Sequence, residues 1–404
     1  MGFWTNLFLA RMSERRERRQ HHISRSLIGF LPEGKNVIIC GGSDAPGSLA
    51  GEIKENAVLD GALDAAEKGT PTLCLFSDRK LIGQLLRERG PNSRVMIFGE
   101  DLSYMPFDRN ITLHQANEMF SSVLDRYGKQ VESARGILSM LLSILLTNLG
   151  SAYFTWDNLR YLVNHLFRTD AGQEGTTSFT GEDAFLDWVE RETGHPVDYS
   201  FQNILTLGWT NALSGFRDFW LAFDGQVGRL ARNDARGRSL YSCLLDGQTC
   251  VFHVPELHGE LLLESLLQEL AIFRTMAYKD HLLIDCGVKL ENAFRNKLFD
   301  RGSSLLVGDS FLSLGIADCP IPTPSFVCLG VSNQDAKQIC EHMVYSGIWR
   351  SSSLTMGRHT SGLTFSDGTR EPITPNELSY ANIPDGSAYL ITPDGYRWVG
   401  SLLT

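Results

Sequence analysis

The stretch Gly42-Ser43-Asp44-Ala45-Pro46-Gly47-Ser48-Leu49 follows a short apolar run, Val37–Cys40, and opens onto helical periodicity. Two glycines five apart between a strand and a helix are what a phosphate-binding loop uses to turn backbone N–H groups onto phosphates. Such a loop continues with Lys, which neutralises the β/γ charge, and with Ser or Thr, whose hydroxyl holds Mg²⁺. Here Ser48 stands at the lysine position and Leu49 at the hydroxyl position. Asp44 adds negative charge where phosphates would lie, and Pro46 has no N–H to donate. Taken alone, two glycines at this spacing also suit an ordinary strand-to-helix turn.

Two further strand ends carry chemistry-bearing residues. The run His281–Gly287 is an apolar strand closed by Asp285 and Cys286. In ATP-hydrolysing loops of this kind the strand ends in two acids, one assisting Mg²⁺ and one polarising the attacking water. A neutral thiol cannot replace the second carboxylate as a base. The run Ser303–Asp309 is a further apolar strand that ends in Asp309 and is followed by Ser310. Ser43 and Cys286 are also nucleophile types, but no motif ties a histidine or an acid to either. His21, His22, His253 and His258 are isolated imidazoles, and no Cys or His spacing marks a metal site. The eight cysteines are scattered, several inside apolar runs, as small buried hydrophobes of a reducing compartment.

These residues need a sheet to bring them together, and the sequence supplies one. Apolar runs alternate with helical periodicity from Asn36 to about Gly99: NVIICGG, then a helix to Gly69, TPTLCLF, RKLIGQLLRERG and SRVMIFG. Strands that are apolar on both faces and alternate with helices predict a parallel α/β sheet covered by helices. Between Thr112 and Phe223 strand patterns vanish and helices are predicted over Leu113–Tyr127, Val131–Leu149, Asn158–Phe167, Gly181–Thr193 and Asn203–Phe223. Strand runs return at Gln248–Val254, His281–Gly287, Ser303–Asp309 and Ser325–Val331, and the C-terminal segment reads as a hairpin turning at Pro393–Gly395. The expected organisation is an arm over 1–32, a first α/β segment over 33–111, an all-α insertion over 112–223 and a second α/β segment over 224–404.

At 404 residues and 43% hydrophobic content the chain is long enough for two or three packed domains, which excludes a disordered or collagen-like protein. The longest apolar stretch, Ile137–Gly150, is interrupted by Ser139, Ser143 and Thr147 and reads as a buried helix; no secretory signal is recognisable. The net charge is −10, but residues 1–26 hold six arginines against two glutamates, so the rest carries −14. An acidic body argues against broad nonspecific binding to nucleic acid. The arm places Phe3, Trp4, Leu7 and Phe8 ahead of Arg15, Arg16, Arg18 and Arg19, a pattern suited to an anionic membrane face or to packing on a partner. The aromatic helix Phe216–Gly225 reads as core. The segment Arg229–Ser239, with Arg229, Arg232, Arg236 and Arg238, reads as a solvated connector or as a contact to DNA phosphates or a neighbouring subunit.

The order of these segments resembles the TraG/TraD-type coupling proteins of conjugation and type IV secretion, within the FtsK/HerA group of ring ATPases. The family's strand and phosphate loop correspond to NVIICGGSDAPGSL, and its F-N-P-L-D phrase to Tyr104-Met105-Pro106-Phe107-Asp108. An all-α domain follows in both. The family's Asp-Glu strand corresponds to Leu282–Cys286, its Gln-Ser strand end to Asp309-Ser310, its N-x-x-D-A-type helix to SNQDAKQICEHM, and its leucine-proline-x-glycine hairpin to Ile383–Ile391. The likeness spans about 33–402. It implies a P-loop NTPase-like (RecA-like), mostly parallel sheet with an inserted all-α domain, secretion-system partners including an active coupling ATPase, oligomer formation, and a cytoplasmic place at the inner face of the membrane. The altered residues at all three strand ends imply a pseudo-ATPase without cofactor, acting as a scaffold or adaptor for DNA–protein or protein cargo. The alternative is an active ring ATPase using ATP and Mg²⁺ through non-standard motifs, with an arginine such as Arg301 or Arg350 supplied by a neighbouring subunit.

Overall fold

The computed structural model describes residues 36–42, 48–91, 93–106, 111–128, 131–167, 182–197, 209–231, 237–255, 259–277, 279–288, 302–311, 314, 325–343, 349–356, 361–370, 373–392 and 395–399. The N-terminal arm, Ser43–Gly47, Arg232, Arg236 and Arg301 lie outside the described residues. The chain divides into two compact units, Met1–Val95 with Gly247–Pro255 and Lys279–Thr404, and Met96–Asp246 with Glu256–Tyr278.

The first unit is built on a sheet. Its parallel centre runs β4 (Thr249–His253), β2 (Thr72–Phe76), β5 (Leu282–Cys286), β6 (Ser303–Gly308), β1 (Val37–Cys40) and β7 (Ser325–Cys328). Nearly every residue of these strands is buried, as a sheet covered on both faces requires. β3 (Val95–Ile97) flanks β4 at one edge. At the other, β10 (Ala388–Thr392) joins β7 antiparallel and pairs with β11 (Gly395–Val399). β8 (Trp349–Met356) lies parallel to β11, and β9 (Ser361–Arg370) closes this edge antiparallel to β8. The β10–β11 hairpin falls where the sequence predicts it. The β8–β9 hairpin has no counterpart in the sequence reading, because its Ser-, Thr- and Gly-rich residues carry only a short apolar alternation, Leu354/Met356 and Leu363/Phe365.

Helix α1 (Leu49–Lys68) follows β1 and packs on β5 and β6. Its small residues make that approach close. A Cβ at Gly61 would lie 3.2 Å from Leu305 Cδ2 and 3.5 Å from Ile284 Cδ1. The helix stops at Gly69, whose φ of +67° supplies a left-handed cap. Helix α2 (Arg79–Glu88) follows β2, its N-terminus capped by Asp78.

The second unit is helical: α3 (Leu113–Tyr127), α4 (Val131–Ser143), α5 (Trp156–Leu166), α6 (Glu182–Thr193), α7 (Trp209–Val227), α8 (Leu240–Leu245) and α9 (Glu260–Ala277). It is wider than the 112–223 stretch in which strand patterns vanish, because α8 and α9 belong to it although β4 lies between them. A capping box of Thr112 and Gln115 opens α3. The stretch Ile137–Gly150 ends α4 and runs through a π-helical turn, Ile144–Asn148, with Ile137, Leu141, Leu142 and Leu145 fully buried. The aromatic stretch of α7 is core: Phe216, Phe219 and Phe223 have no exposure, and Trp220 stacks on Trp156 at 5.3 Å. No helix among the described residues is long and apolar enough to cross a membrane. In the first unit, α10 (Asn333–Met343) follows β7, and the single-turn α11 (Pro375–Leu378) precedes β10.

Candidate functional site

In an open α/β sheet, ligands gather at the carboxyl ends of the strands where the strand order reverses. Here the chain leaves β1 toward β2 on one side, while β7 is added on the other. The reversal therefore lies at β1. The register sets Cys40 level with Gly308 and with Cys328, and Cys286 level with Val307. So the residues after β1, β5 and β6 emerge at one edge, which brings Gly42, Asp285–Cys286 and Asp309–Ser310 to the same end of the sheet.

The start of the turn after β1 is fixed by its two glycines. Gly41 and Gly42 hold φ of +96° and +88°, a region other residues enter at a cost. A Cβ at Gly41 would stand 2.0 Å from the Gly330 carbonyl oxygen, and one at Gly42 2.2 Å from Ala50 Cβ. The Gly42 N–H donates to the Gly330 carbonyl at 2.7 Å, so this amide is engaged by the end of β7.

Ser48 is the N-cap of α1, with extended backbone, yet its side chain does not cap its own helix. Its hydroxyl donates instead to Asp385 Oδ1 at 3.3 Å. The Leu49 N–H donates to Asp385 Oδ2 at 3.1 Å and the Ala50 N–H to Asp385 Oδ1 at 3.3 Å. A carboxylate 335 residues further along the chain thus covers the amides at the helix start. The sequence reading missed Asp385, although it lies within the Ile383–Ile391 segment. Its turn, Pro384–Ser387, is closed by the Ser387 N–H on the Pro384 carbonyl at 3.0 Å, with Gly386 at φ +83° in the third position. Ile383 is buried, and its N–H donates to Ser379 at 3.2 Å; the Tyr380 N–H donates to Val331 at 3.2 Å. The turn is therefore anchored to the segment that follows β7.

Lys54, one turn further along α1, is the second residue the sequence reading missed. It is buried among the apolar residues of the helix and donates to Asp309 beyond β6. Its side chain is 10% exposed against 65% for Asp309. Asp285 is buried, and its Oδ1 accepts from the Val288 N–H at 3.0 Å, fastening the turn after β5. Burial, with Asp285 next in effect, pushes the Cys286 thiol up to about 12, partly opposed by Lys54. A thiol held up in this way is a poorer nucleophile at neutral pH than a free one. The Ser77 hydroxyl donates to the Cys286 carbonyl at 3.2 Å. Fully buried Cys40 is also held well up, by its hydrogen bond with Cys328 and by burial.

Of the residues chosen from sequence at this edge, Gly42, Ser48, Leu49, Asp285, Cys286, Asp309 and Ser310 are described, and Ser43–Gly47 are not. Elsewhere, Arg238 donates to Asp246 at 2.5 Å. No group of three or more His, Cys, Asp or Glu is gathered for a metal among the described residues.

No protein-family profile matches the chain, and no curated protein matches it. Among solved structures, a bacterial conjugative coupling protein, TrwBdeltaN70 in its unbound monoclinic form, is similar with a TM-score of 0.50 and 14% identity. The likeness covers 90% of this chain and 84% of that one. At this identity it establishes the fold: a P-loop NTPase-like α/β sheet flanked by helices, with a helical unit inserted.

Proposed function

We propose that the chain is a coupling-protein-like component of a conjugation or type IV secretion system, with a degenerate nucleotide site. It would act as a scaffold or adaptor in recruiting DNA–protein or protein cargo. The observation that carries the system-level reading is the fold likeness to a conjugative coupling protein over 90% of this chain. Its partners would be secretion-system proteins, an active coupling ATPase among them, met at the cytoplasmic face of the membrane. Oligomer formation and any lipid contact of the arm belong to this proposal.

The degenerate reading rests on chemistry at the sheet edge. In-line phosphoryl transfer needs a cation on the β/γ oxygens, a hydroxyl for Mg²⁺ and a group that orients water. Ser48, Leu49 and Cys286 occupy those positions, and none supplies the required function. An active ring ATPase remains the second reading. Lys54 favours it as a cation at the same edge, but the ammonium is engaged by Asp309.

The test is calorimetry of the purified protein with ATP·Mg²⁺, with turnover measured on the same sample, beside deletion of the gene in a donor cell. Silence to millimolar ATP with loss of transfer on deletion supports the scaffold. Saturable binding with turnover overturns the degenerate reading, and unchanged transfer of every DNA and protein cargo overturns the system assignment.

A further inference from the structure

We infer that Asp385 is a built-in ligand of the α1 N-terminus: a carboxylate of the chain itself holds the amides that a phosphate would use and closes them to free phosphate-bearing ligands. The inference rests on the degenerate reading above and deepens it from missing groups to an occupied place. A helix start exposes unpaired N–H groups and the positive end of the helix dipole, which together favour an anion. A 20-residue helix following a glycine turn at the reversal point of the sheet is the usual place for a nucleotide phosphate. In this chain an anionic group already stands there. Both Asp385 oxygens are used, accepting from two successive amides and from the Ser48 hydroxyl.

The surroundings hold the carboxylate in place. The Pro384–Ser387 turn presents Asp385 at its second position, and Ile383 anchors the turn in the core cluster that also contains Ile38 and Cys40 of β1. The Gly42 N–H, which a free glycine turn would offer to an anion, is engaged by Gly330. The segment after β7 thus supplies a carbonyl for Gly42, and the turn before β10 supplies a carboxylate for α1. Two ordinary phosphate-loop substitutions then make physical sense together. With an internal anion fixed at the helix start, a lysine at position 48 has no phosphate to neutralise, and a hydroxyl at position 49 has no Mg²⁺ to hold.

The experiment compares the wild type with Asp385→Ala and Asp385→Asn. Thermal midpoints are measured in chloride, and then with sodium phosphate or pyrophosphate at matched ionic strength. Losing an intramolecular cap lowers the midpoint of Asp385→Ala by about 2–4 °C. Millimolar phosphate or pyrophosphate then restores it saturably, as an anion enters the vacated amides, while the wild-type midpoint does not move. Asp385→Asn keeps the turn and one acceptor oxygen and falls between the two, so it preserves the test if the alanine variant fails to fold. Equal anion shifts in wild type and variants overturn the inference, as does a variant without any anion response. Turnover of ATP·Mg²⁺ by the wild type sinks the degenerate reading instead, whereas a silent wild type with an unresponsive variant sinks the internal ligand alone.

Discussion

The contact between Lys54 and Asp309 is unequal, and that inequality decides what each substitution does. The ammonium is nearly buried, whereas the carboxylate is mostly in solvent. Removing the carboxylate leaves a desolvated cation without this partner; removing the cation leaves a carboxylate that water can satisfy. Asp309→Ala is therefore expected to cost about 1–3 kcal/mol, below a fully buried pair because one partner is exposed. Lys54→Met, which fills the same space with an apolar chain, is expected to cost about 0–1 kcal/mol. Urea unfolding of both variants measures the difference, and an equal loss would contradict it. The same pair shows where sequence reading stops. Gly42, Asp285 and Asp309 were legible because each lies at or just beyond the carboxyl end of a strand, and strand ends can be counted along the chain. Lys54 was not, since only the helix pitch and the closeness of α1 to β6 bring it to the edge. Asp385 was not, since only the pairing of β10 with β7 returns it to the helix start. Its one local signal was a Pro-Asp-Gly turn, which marks a turn without saying what it faces.

Elements were legible where side-chain periodicity and local caps agree. Helix α3 keeps its sequence-derived limits, Leu113–Tyr127, because Thr112 with Gln115 starts it and Gly128, at φ +76°, ends it. The helix read over Val131–Leu149 changes to a π turn at Ile144, a shift of hydrogen bonding that apolar spacing does not reveal. Polar partnerships between elements were also invisible. Glu269 on α9 is fully buried and accepts from the Tyr104 hydroxyl and, at 3.0 Å, from the Tyr241 N–H of α8. The Tyr104 hydroxyl also lies 2.9 Å from Ser265 Oγ, and burial together with Glu269 holds the phenol well above its usual range. Tyr104 begins the Tyr-Met-Pro-Phe-Asp phrase, so one feature of the sequence likeness serves here as a buried joint within the helical unit. Tyr104→Phe takes a donor from a buried carboxyl group and is expected to cost about 1–3 kcal/mol. Adding Glu269→Gln keeps an acceptor for Tyr241 while removing most of the carboxyl's demand. The double variant should then cost less than the sum of the two singles in a denaturation cycle, and strict additivity would show that the two groups do not depend on each other.

At the scale of the molecule, the helical unit is assembled from two inserted segments, and this makes its sequence limits and its folding limits different. Strand patterns vanish only between 112 and 223, yet α9 lies beyond β4 and packs on α3, α7 and α8. Its buried side chains include Leu261, Leu262, Leu263, Leu266, Leu267, Leu270 and Phe273. A deletion of 112–223 removes α3 to α6 and most of α7, but keeps α9. Each large apolar side chain so uncovered loses about 1.5–3 kcal/mol of burial. Several on one helix make a patch of the kind that drives association. That deletion is expected to give insoluble or self-associated protein. A deletion of both segments, 96–246 and 256–278, with β4 rejoined through flexible linkers, removes the helical faces together and should recover more soluble material. Soluble yield and elution volume on a sizing column compare the two. A soluble monomer from the 112–223 deletion would mean that α9 is held by the sheet-bearing unit, with no unit boundary between β4 and α9 or between α9 and β5.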